Sequence, residues 1–305
     1  KILKFEGAWH GMHDYGLWAT VPTVASDYPH AKPDSVGVPP QAGETVLVAP
    51  FNETGAAVAM IERHAHELAA VIVEPLQRVL LPEPGFHSEL RRLTRAAGTL
   101  LLIDETHTIS TGPGGYTRAF GLEPDLFVLG KPVAGGVPAS VWGFTEDVAR
   151  RLDSVREQTP PGHSGMGTTL SANALSLAAM RATLEHVMTA DAYAHMDSLA
   201  AGLASGLQRV LTTYGVSWHV ARVGARVEFI CAPGPLRNGT QAEAAHAPAL
   251  EQAIHLALLN RGCLIAPFHN MMLVSPATTA AQVEMLVQAF ESVVASLALD
   301  LATWQ

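Results

Sequence analysis

The chain has 305 residues, of which 48% are hydrophobic and 15% are charged, and its formal net charge is −9. This length allows one large domain and a smaller one. Because the net charge is negative and no basic patch offsets it, the composition argues against nucleic acid or an anionic membrane as a partner.

The cysteines and the first residues bear on cellular location. Cys231 and Cys263 are the only cysteines and have no CxxC spacing, so we expect free thiols in a reducing compartment. The first residues run directly into a polar, glycine-rich segment, which is not typical of a signal peptide. No stretch reaches the roughly 18 apolar residues that a membrane span needs. The sequence therefore predicts a cytoplasmic protein.

The first half of the chain alternates short apolar runs with amphipathic segments. Apolar runs of this kind, bounded by turn residues, are typical of parallel strands buried on both faces. Strands are predicted at 1–5, 46–49, 71–74, 100–104, 126–129 and 140–144, and helices at 53–68 and 85–97. This alternation predicts a mostly parallel α/β sheet.

The second half has a different pattern. Long helices are predicted at 175–187 and 193–211, with further helices at 247–260 and 280–299. Short strands are predicted at 216–220, 226–231, 263–265 and 271–274. The pattern indicates a smaller α+β domain. We place the boundary so that residues 1–190 form the large domain and residues 191–305 the small one.

Polar residues stand at the ends of three predicted strands. Asp104 ends one apolar run, Lys131 follows a second, and Glu74 ends a third. Functional groups in a parallel sheet lie just past the carboxyl ends of the strands, so these side chains are expected on one rim. A lysine there can lose solvation, lower its pKa and become an amine nucleophile. An ordinary ion pair between Asp104 and Lys131 would explain the same residues.

Several other site types do not fit. The glycine-rich turn at residues 112–115 lacks the strand-to-helix context of a phosphate loop, and Gly130-Lys131 is followed by proline instead of the Ser or Thr of a nucleotide P-loop. The histidines lack the spacing of metal ligands, and neither HExxH nor GxSxG occurs. We therefore predict no metal site and no α/β-hydrolase nucleophile.

A different constellation remains. Its members follow predicted strands or lie in a glycine-rich turn, and they are Trp9, His10, Glu74, Asp104, His107 and Lys131. A pyridine-ring cofactor that accepts electrons requires residues of these types. A lysine forms an imine with it, a carboxylate keeps the ring nitrogen protonated, and an aromatic side chain stacks on the ring.

The sequence resembles the class III (subgroup II) aminotransferases, the fold type I pyridoxal-phosphate family that includes glutamate-semialdehyde aminomutases. The resemblance rests on KFEGAWHG at 4–11, AVIVEP at 70–75, LIDE at 102–105, the segment 124–138 and TTLSAN at 168–173. It implies the fold of type I pyridoxal-phosphate transferases, with a mostly parallel sheet in a large domain and a smaller α+β C-terminal domain. It also implies pyridoxal 5'-phosphate as the cofactor.

The resemblance further implies an activity. The protein would be an aminotransferase that moves an amino group between an amine or amino acid and a keto acid or aldehyde. The mechanism would be ping-pong, through an aldimine of Lys131. An aminomutase or a racemase on the same scaffold is an alternative, as is a truncated, non-catalytic protein that binds pyridoxal phosphate.

Roles of single residues follow from the same resemblance. Lys131 would be the Schiff-base lysine and later the proton shuttle, and Asp104 would pair with the pyridinium nitrogen. Trp9, next to His10, would stack on one face of the ring. Thr106 would pack on the other face, where the family usually has valine.

Further roles concern the edges of the site. His107 stands where family members often direct a glutamine toward the phenolic oxygen of the cofactor, and Glu74 belongs to the AVIVEP segment of the cofactor site. Thr169 would contact the cofactor phosphate of the partner subunit, which implies a homodimer with shared active sites. Because the segment 262–276 contains no arginine, the substrate carboxylate would be bound by Arg222 or Arg226.

One departure from the family pattern concerns the phosphate. Family chains are longer at the N-terminus, and that part carries a loop with Ser and Gly that grips the phosphate through backbone N–H groups at a helix start. We therefore expect an N-terminally shortened large domain that retains the cofactor weakly.

Overall fold

A six-stranded sheet forms the centre of the first half of the chain. The computed structural model describes residues 1–20, 28–160, 162, 167–266 and 269–303. The strands are β1 Ile2–Phe5, β2 Val46–Ala49, β3 Ala70–Val73, β4 Leu100–Asp104, β5 Leu126–Leu129 and β6 Val141–Phe144. They lie in the order β2-β1-β3-β4-β5-β6, with the first five parallel and β6 antiparallel to β5. The mostly parallel sheet that the sequence predicts is confirmed.

Six α-helices lie in the described residues of this half of the chain. They are α1 Pro40–Gly43, α2 Thr54–His64, α3 Phe86–Ala97, α4 Gly115–Ala119, α5 Glu146–Arg156 and α6 Ala174–His186. Helices α2 and α3 cover one face of the sheet, where Leu3 and Phe5 of β1 pack against Ile61 and Phe86. The other face of β2 is covered by the segment that contains Trp18. Successive side chains of a strand point to opposite faces, so Lys4 points to this second face.

A second, smaller sheet lies in the C-terminal part. Its strands are β7 His219–Val223, β8 Arg226–Ile230 and β9 Met271–Leu273, and both pairings are antiparallel. The helices of this part are α7 Ala190–Thr213, α8 Gly239–Ala244, α9 Pro248–Leu259 and α10 Ala280–Thr303. Helices α7 and α10 approach closely at Gly206, where a Cβ atom would lie 2.7 Å from Val287. The domain boundary between residues 190 and 191 stays a prediction.

Two strand predictions for this part are wrong. Residues 216–218 do not form a strand, because the amide of Val216 bonds to the carbonyl of Leu211 and closes the end of α7. The strand starts three residues later, at His219. Residues 263–265 are also outside any strand, although Cys263 and Ile265 are buried among the helices and strands of this part. Their apolar character reflects side-chain packing and not strand pairing.

The turn between β7 and β8 packs against the segment that follows β4. A Cβ atom at Gly224 would lie only 2.5 Å from the Cα of Thr111, so glycine permits this approach. The hydroxyl of Tyr193 donates to the carbonyl of Ile109 at 3.0 Å. These contacts place the start of β8 beside the carboxyl edge of the large sheet. Among the helices that the structure describes, none combines the length and apolar character needed to span a membrane.

Candidate active site

Five parallel strands end at one edge of the large sheet. Strand β3 ends beside β4, and the register pairs Asp104 of β4 with Val128 of β5. Glu74 directly follows β3, Asp104 ends β4, and Lys131 stands two residues after β5. The parallel register therefore places all three side chains at a common edge.

Asp104 is buried at the end of β4, and both carboxylate oxygens accept hydrogen bonds. Oδ1 accepts from the backbone N–H of Thr106 at 3.1 Å, and Oδ2 lies 3.0 Å from Nδ1 of His10. Burial by itself raises the pKa of Asp104, but the bonds from His10 and Thr106 outweigh it and hold the pKa below its usual range. Asp104 is therefore an ionised carboxylate at neutral pH.

His10 ties the loop after β1 to Asp104. Its side chain is only 3% exposed, and burial lowers the pKa of His10 in spite of the bond to Asp104. The neutral ring donates from Nδ1 to the carboxylate, and Nε2 is buried without a hydrogen-bond partner among the described residues. The neighbouring Trp9 is 42% exposed, which is unusual for the largest aromatic side chain. His10 therefore fixes the turn that carries the exposed Trp9 to the buried carboxylate of Asp104.

Lys131 opens the short turn after β5 in a strained conformation. Its φ is 52°, a region that costs residues other than glycine on the order of 1 kcal/mol and that is common at functional sites. Burial lowers the pKa of Lys131, and the positive charge of Arg226 acts in the same direction, while Glu74 and Asp104 oppose both. A lysine with a lowered pKa is more readily available as a free amine.

His107 is the hydrogen-bond partner of Lys131. The Nζ of Lys131 lies 2.7 Å from Nε2 of His107. Burial, followed by the charges of Lys131 and Arg226, lowers the pKa of His107 to about 3. His107 is therefore neutral at neutral pH, and its Nε2 accepts the hydrogen bond while Lys131 is protonated.

Glu74 is a second carboxyl group beside Asp104. Burial, and then the charge of Asp104, raises the pKa of Glu74 to about 8, although Arg226, Lys131 and a hydrogen bond to the backbone of Trp9 act against the rise. Glu74 is thus protonated at neutral pH while Asp104 is ionised. The edge holds two carboxyl groups in opposite protonation states.

Arg226 enters the site from the small sheet. It is 5% exposed, and its Nη2 donates to Oε2 of Glu228 at 3.0 Å and to the carbonyl of Arg78 at 2.8 Å. The other oxygen of Glu228 lies 3.0 Å from Nδ1 of His269. Arg226 therefore acts on the pKa values of Glu74, His107 and Lys131 from within a buried ion pair.

The remaining residues that the sequence analysis assigned to the site lie at its periphery or outside it. Thr106 lies close to the end of strand β5, because a Cβ atom at Gly130 would lie 3.6 Å from the methyl group of Thr106. Thr169 is in an exposed turn before α6, and among the described residues no hydrogen bond joins it to Asp104 or Lys131. Arg222 is bound to Asp197 at 2.7 Å. The structure thus brings Thr106 to the edge and leaves Thr169 facing outward.

The sequence analysis missed two buried polar residues near the site. Lys4 is fully buried in β1, and Glu228 is the carboxylate that pairs with Arg226. A charged residue within an apolar strand is the signal that could have indicated either one. Glu105 explains the glycine-rich turn, because its carboxylate accepts from the amides of Tyr116 and Thr117. That turn binds a side chain of the protein itself.

The residues at the edge fit a pyridine-ring cofactor. Asp104 uses two of its roughly four lone-pair positions, so its carboxylate can accept a further bond from a ring nitrogen. Lys131 offers an amine with a lowered pKa, and Trp9 offers an exposed ring face. Among the described residues, no three His, Cys, Asp or Glu side chains are grouped as a metal site would require.

Comparisons with known proteins agree with this chemistry. The family model described as aminotransferase class-III matches residues 1–294. A glutamate-1-semialdehyde 2,1-aminomutase of Thermomicrobium roseum is 35% identical over 270 residues, which cover 87% of this chain and 60% of the relative. A second enzyme of that name, from Brevibacillus brevis, is 33% identical and is matched over 95% of this chain and 66% of its own length. The chain thus spans about two thirds or less of the curated relatives it matches.

Solved structures of aminomutases and transaminases are also similar to this chain. A glutamate-1-semialdehyde aminomutase of Pseudomonas aeruginosa, crystallised with PMP, is 42% identical with a TM-score of 0.87, over 95% of this chain and 65% of its own. An omega-transaminase of Sphaerobacter thermophilus is 29% identical with a TM-score of 0.83, over 96% of this chain and 68% of its own. The fold that the sequence analysis expected is confirmed.

Proposed function

The chain belongs to the class III aminotransferases, a pyridoxal-phosphate family, and we propose from this membership that it transfers amino groups between small molecules. The donor would be an amine or amino acid and the acceptor a keto acid or aldehyde. One observation supports the proposal most directly: three residues with suitable properties lie at one edge of the sheet. Asp104 is ionised, the pKa of Lys131 is lowered so that it can act as a free amine, and Trp9 is exposed. The cofactor, when bound, supplies a ring that withdraws electrons from the substrate carbon next to nitrogen.

Asp104 would hold a proton on the ring nitrogen of the cofactor. A carboxylate can do this only while it is ionised, and His10 and Thr106 keep it so by donating to its two oxygens. The role of His10 is therefore to orient Asp104 and to preserve its charge. Trp9 would cover one ring face and Thr106 the other.

Lys131 would bind the cofactor through Nζ and would later move a proton at the substrate carbon. Both tasks need an amine that can lose its proton, and burial favours the neutral form. His107 would orient this amine, because its neutral Nε2 lies 2.7 Å from Nζ. Glu74, which is protonated at neutral pH, would add no second negative charge beside Asp104.

We keep Arg226 as the candidate for recognition of a substrate carboxylate. Its charge acts on Glu74, His107 and Lys131, so it lies within electrostatic range of the reacting groups. Its guanidinium is already paired with Glu228, so a substrate carboxylate would have to share or displace that partner.

The second candidate function is an aminomutase, which moves the amino group within one molecule. The observation that favours it is the name shared by the aminomutases of T. roseum, B. brevis and P. aeruginosa described above. An aminomutase forms its product without an external amino acceptor, whereas a transaminase shows ping-pong kinetics with two substrates.

We also propose a homodimer in the cytoplasm. The dimer is supported by the resemblance of the Thr168–Asn173 segment to the segment that serves the partner's phosphate, and by the exposure of Thr169. The location is supported by free Cys231 and Cys263, both without a disulfide.

The test is amino transfer by the purified chain with added pyridoxal phosphate, with and without an acceptor. Activity that requires the acceptor supports the transaminase, and isomerisation of a single amino compound supports the aminomutase. Borohydride fixation followed by peptide mapping should place the cofactor on Lys131, and Lys131→Ala should abolish both label and turnover. A Lys1→Ala variant, changed at the opposite end of the parallel strands, is the matched control. A label on another lysine would refute the site.

A further inference from the structure

Lys4 is a charged residue in the middle of a core strand. Its side chain is 0% exposed, while its neighbours Leu3 and Phe5 pack against α2 and α3. Alternation along β1 directs Lys4 to the opposite face, beneath residues 8–18. Lysine is almost never fully buried unless its ammonium group has hydrogen-bond or ion-pair partners. The partners of Lys4 therefore indicate which part of the structure it stabilises.

The three donors of this ammonium group all bind one loop. Nζ donates to the carbonyl oxygens of Ala8 at 3.0 Å, Gly16 at 2.9 Å and Trp18 at 2.5 Å. An ammonium group has three N–H donors, so Lys4 is fully satisfied by these bonds. The same loop contains Trp9 and His10, the two residues that the candidate site takes from this part of the chain.

Besides Lys4, the loop is bound to the large sheet by His10, which bonds to Asp104, and by the backbone of Trp9, which bonds to Glu74. Further hydrogen bonds lie within the loop. The amide of Gly16 bonds to the carbonyl of His13, and the indole of Trp18 bonds to the carbonyl of Asp14, so both close the loop on itself. Lys4 joins the loop to a strand at three points that lie before and after the two site residues. The first and last of these carbonyls, those of Ala8 and Trp18, are ten residues apart in sequence, so Lys4 acts as a clasp across the loop.

We propose that Lys4 is a positioning residue that fixes the loop of residues 8–18 against β1 and thereby sets the place of Trp9 and His10 relative to Asp104. The consequence for the cofactor rests on the proposed function. The placement of the loop does not, and it can be measured in the protein without cofactor.

The charge of Lys4 offers a second means of testing the clasp. Burial lowers the pKa of Lys4 to about 8, Asp34 and then Glu74 act to raise it, and Arg78 acts to lower it. His10 also faces this charge, which adds to the effect of burial in lowering the pKa of the imidazole. A neutral amine keeps only two donors, so one of the three carbonyls loses its partner as the pH rises through about 8.

Hydrogen exchange read by mass spectrometry on the cofactor-free protein tests the placement. Lys4→Met keeps the length of the side chain and removes every donor, and Lys4→Gln keeps a shorter donor. Lys1→Met, at the residue that precedes β1, is the matched control. In Lys4→Met we expect exchange in residues 6–18 to rise by about tenfold or more, with residues 100–104 unchanged, because the opening is local. Lys4→Gln should fall between Lys4→Met and the wild type.

Two results would overturn the proposal. One is unchanged exchange in residues 6–18 of Lys4→Met. The other is an equal rise in residues 6–18 and 100–104, which a purely structural role predicts. If Lys4→Met does not fold, wild-type exchange between about pH 7 and pH 9, corrected for its chemical rate, decides. Residues 6–18 should then exchange faster relative to residues 100–104 as the pH rises, and a constant ratio would refute the clasp.

Cofactor binding tests the consequence separately. The dissociation constant for pyridoxal phosphate, followed by absorbance, should rise about tenfold or more in Lys4→Met and stay unchanged in Lys1→Met, since Trp9 and His10 lose their fixed position. Equal affinity in wild type and Lys4→Met, with a loosened loop, would refute the link to the cofactor. A wild type that binds no pyridoxal phosphate would refute the proposed function, and the exchange data would still decide the role of Lys4.

Discussion

Replacing Glu74 by glutamine should change how the stability of the protein depends on pH. Glu74 is 6% exposed, and burial, followed by the charge of Asp104, raises its pKa from 4.5 to about 8. Glutamine has nearly the same shape and does not titrate, so Glu74→Gln removes the titration and little else. The variant therefore isolates the contribution that proton binding at Glu74 makes to the free energy of unfolding.

The sign and size follow from the difference in pKa between the folded and unfolded states. Between pH 4.5 and pH 8 the folded state binds a proton at Glu74 that the unfolded state has released. The contribution of Glu74 to stability is therefore fully present below pH 4.5 and is lost as the pH rises toward 8. From about pH 5 to about pH 8 the loss amounts to about 3 kcal/mol, at 1.36 kcal/mol per pH unit.

Urea denaturation of the cofactor-free protein between about pH 5 and pH 8 measures this effect. The difference between the free energies of unfolding of Glu74→Gln and wild type should shift by about 3 kcal/mol in favour of the variant as the pH rises across this range. Glu62→Gln, an exposed glutamate on α2, is the control and should follow the wild type at every pH. Parallel curves for wild type and Glu74→Gln would show that Glu74 is ionised in the folded protein, and the reasoning would fail.

Three further predictions concern the reaction, the retention of the cofactor and the assembly. Asp104→Asn keeps the shape of the carboxyl group but loses its charge, so turnover should fall about a hundredfold or more, and wild-type turnover would contradict its role. If Thr169 contacts the cofactor phosphate of the partner subunit, as proposed, Thr169→Ala should increase the loss of cofactor on dialysis, measured by absorbance. Sedimentation should give a homodimer for the active protein, and a fully active monomer would exclude the role of Thr169.

Much of the fold could be predicted from local pattern. The bounds of β2, β4 and β5 agree with the predicted residues 46–49, 100–104 and 126–129, because each is an apolar run that stops at a proline, an aspartate or a glycine. Helix α5 was not predicted, because none of its residues is buried and the sequence therefore lacks a continuous apolar stripe there. The shifted start of β7 depended on a bond between Val216 and Leu211 that no periodicity shows.

The sequence by itself determined which residues stand at the ends of the parallel strands, and so placed Asp104, Glu74 and Lys131 at one edge. Only the tertiary structure decided their protonation states and partners, because a pKa depends on burial and on charges that are distant along the chain. His10 and Asp104 are 94 residues apart in sequence and 3.0 Å apart in space. Arg226 acts on Lys131 from another sheet. The chemistry of the edge arises where these distant segments meet.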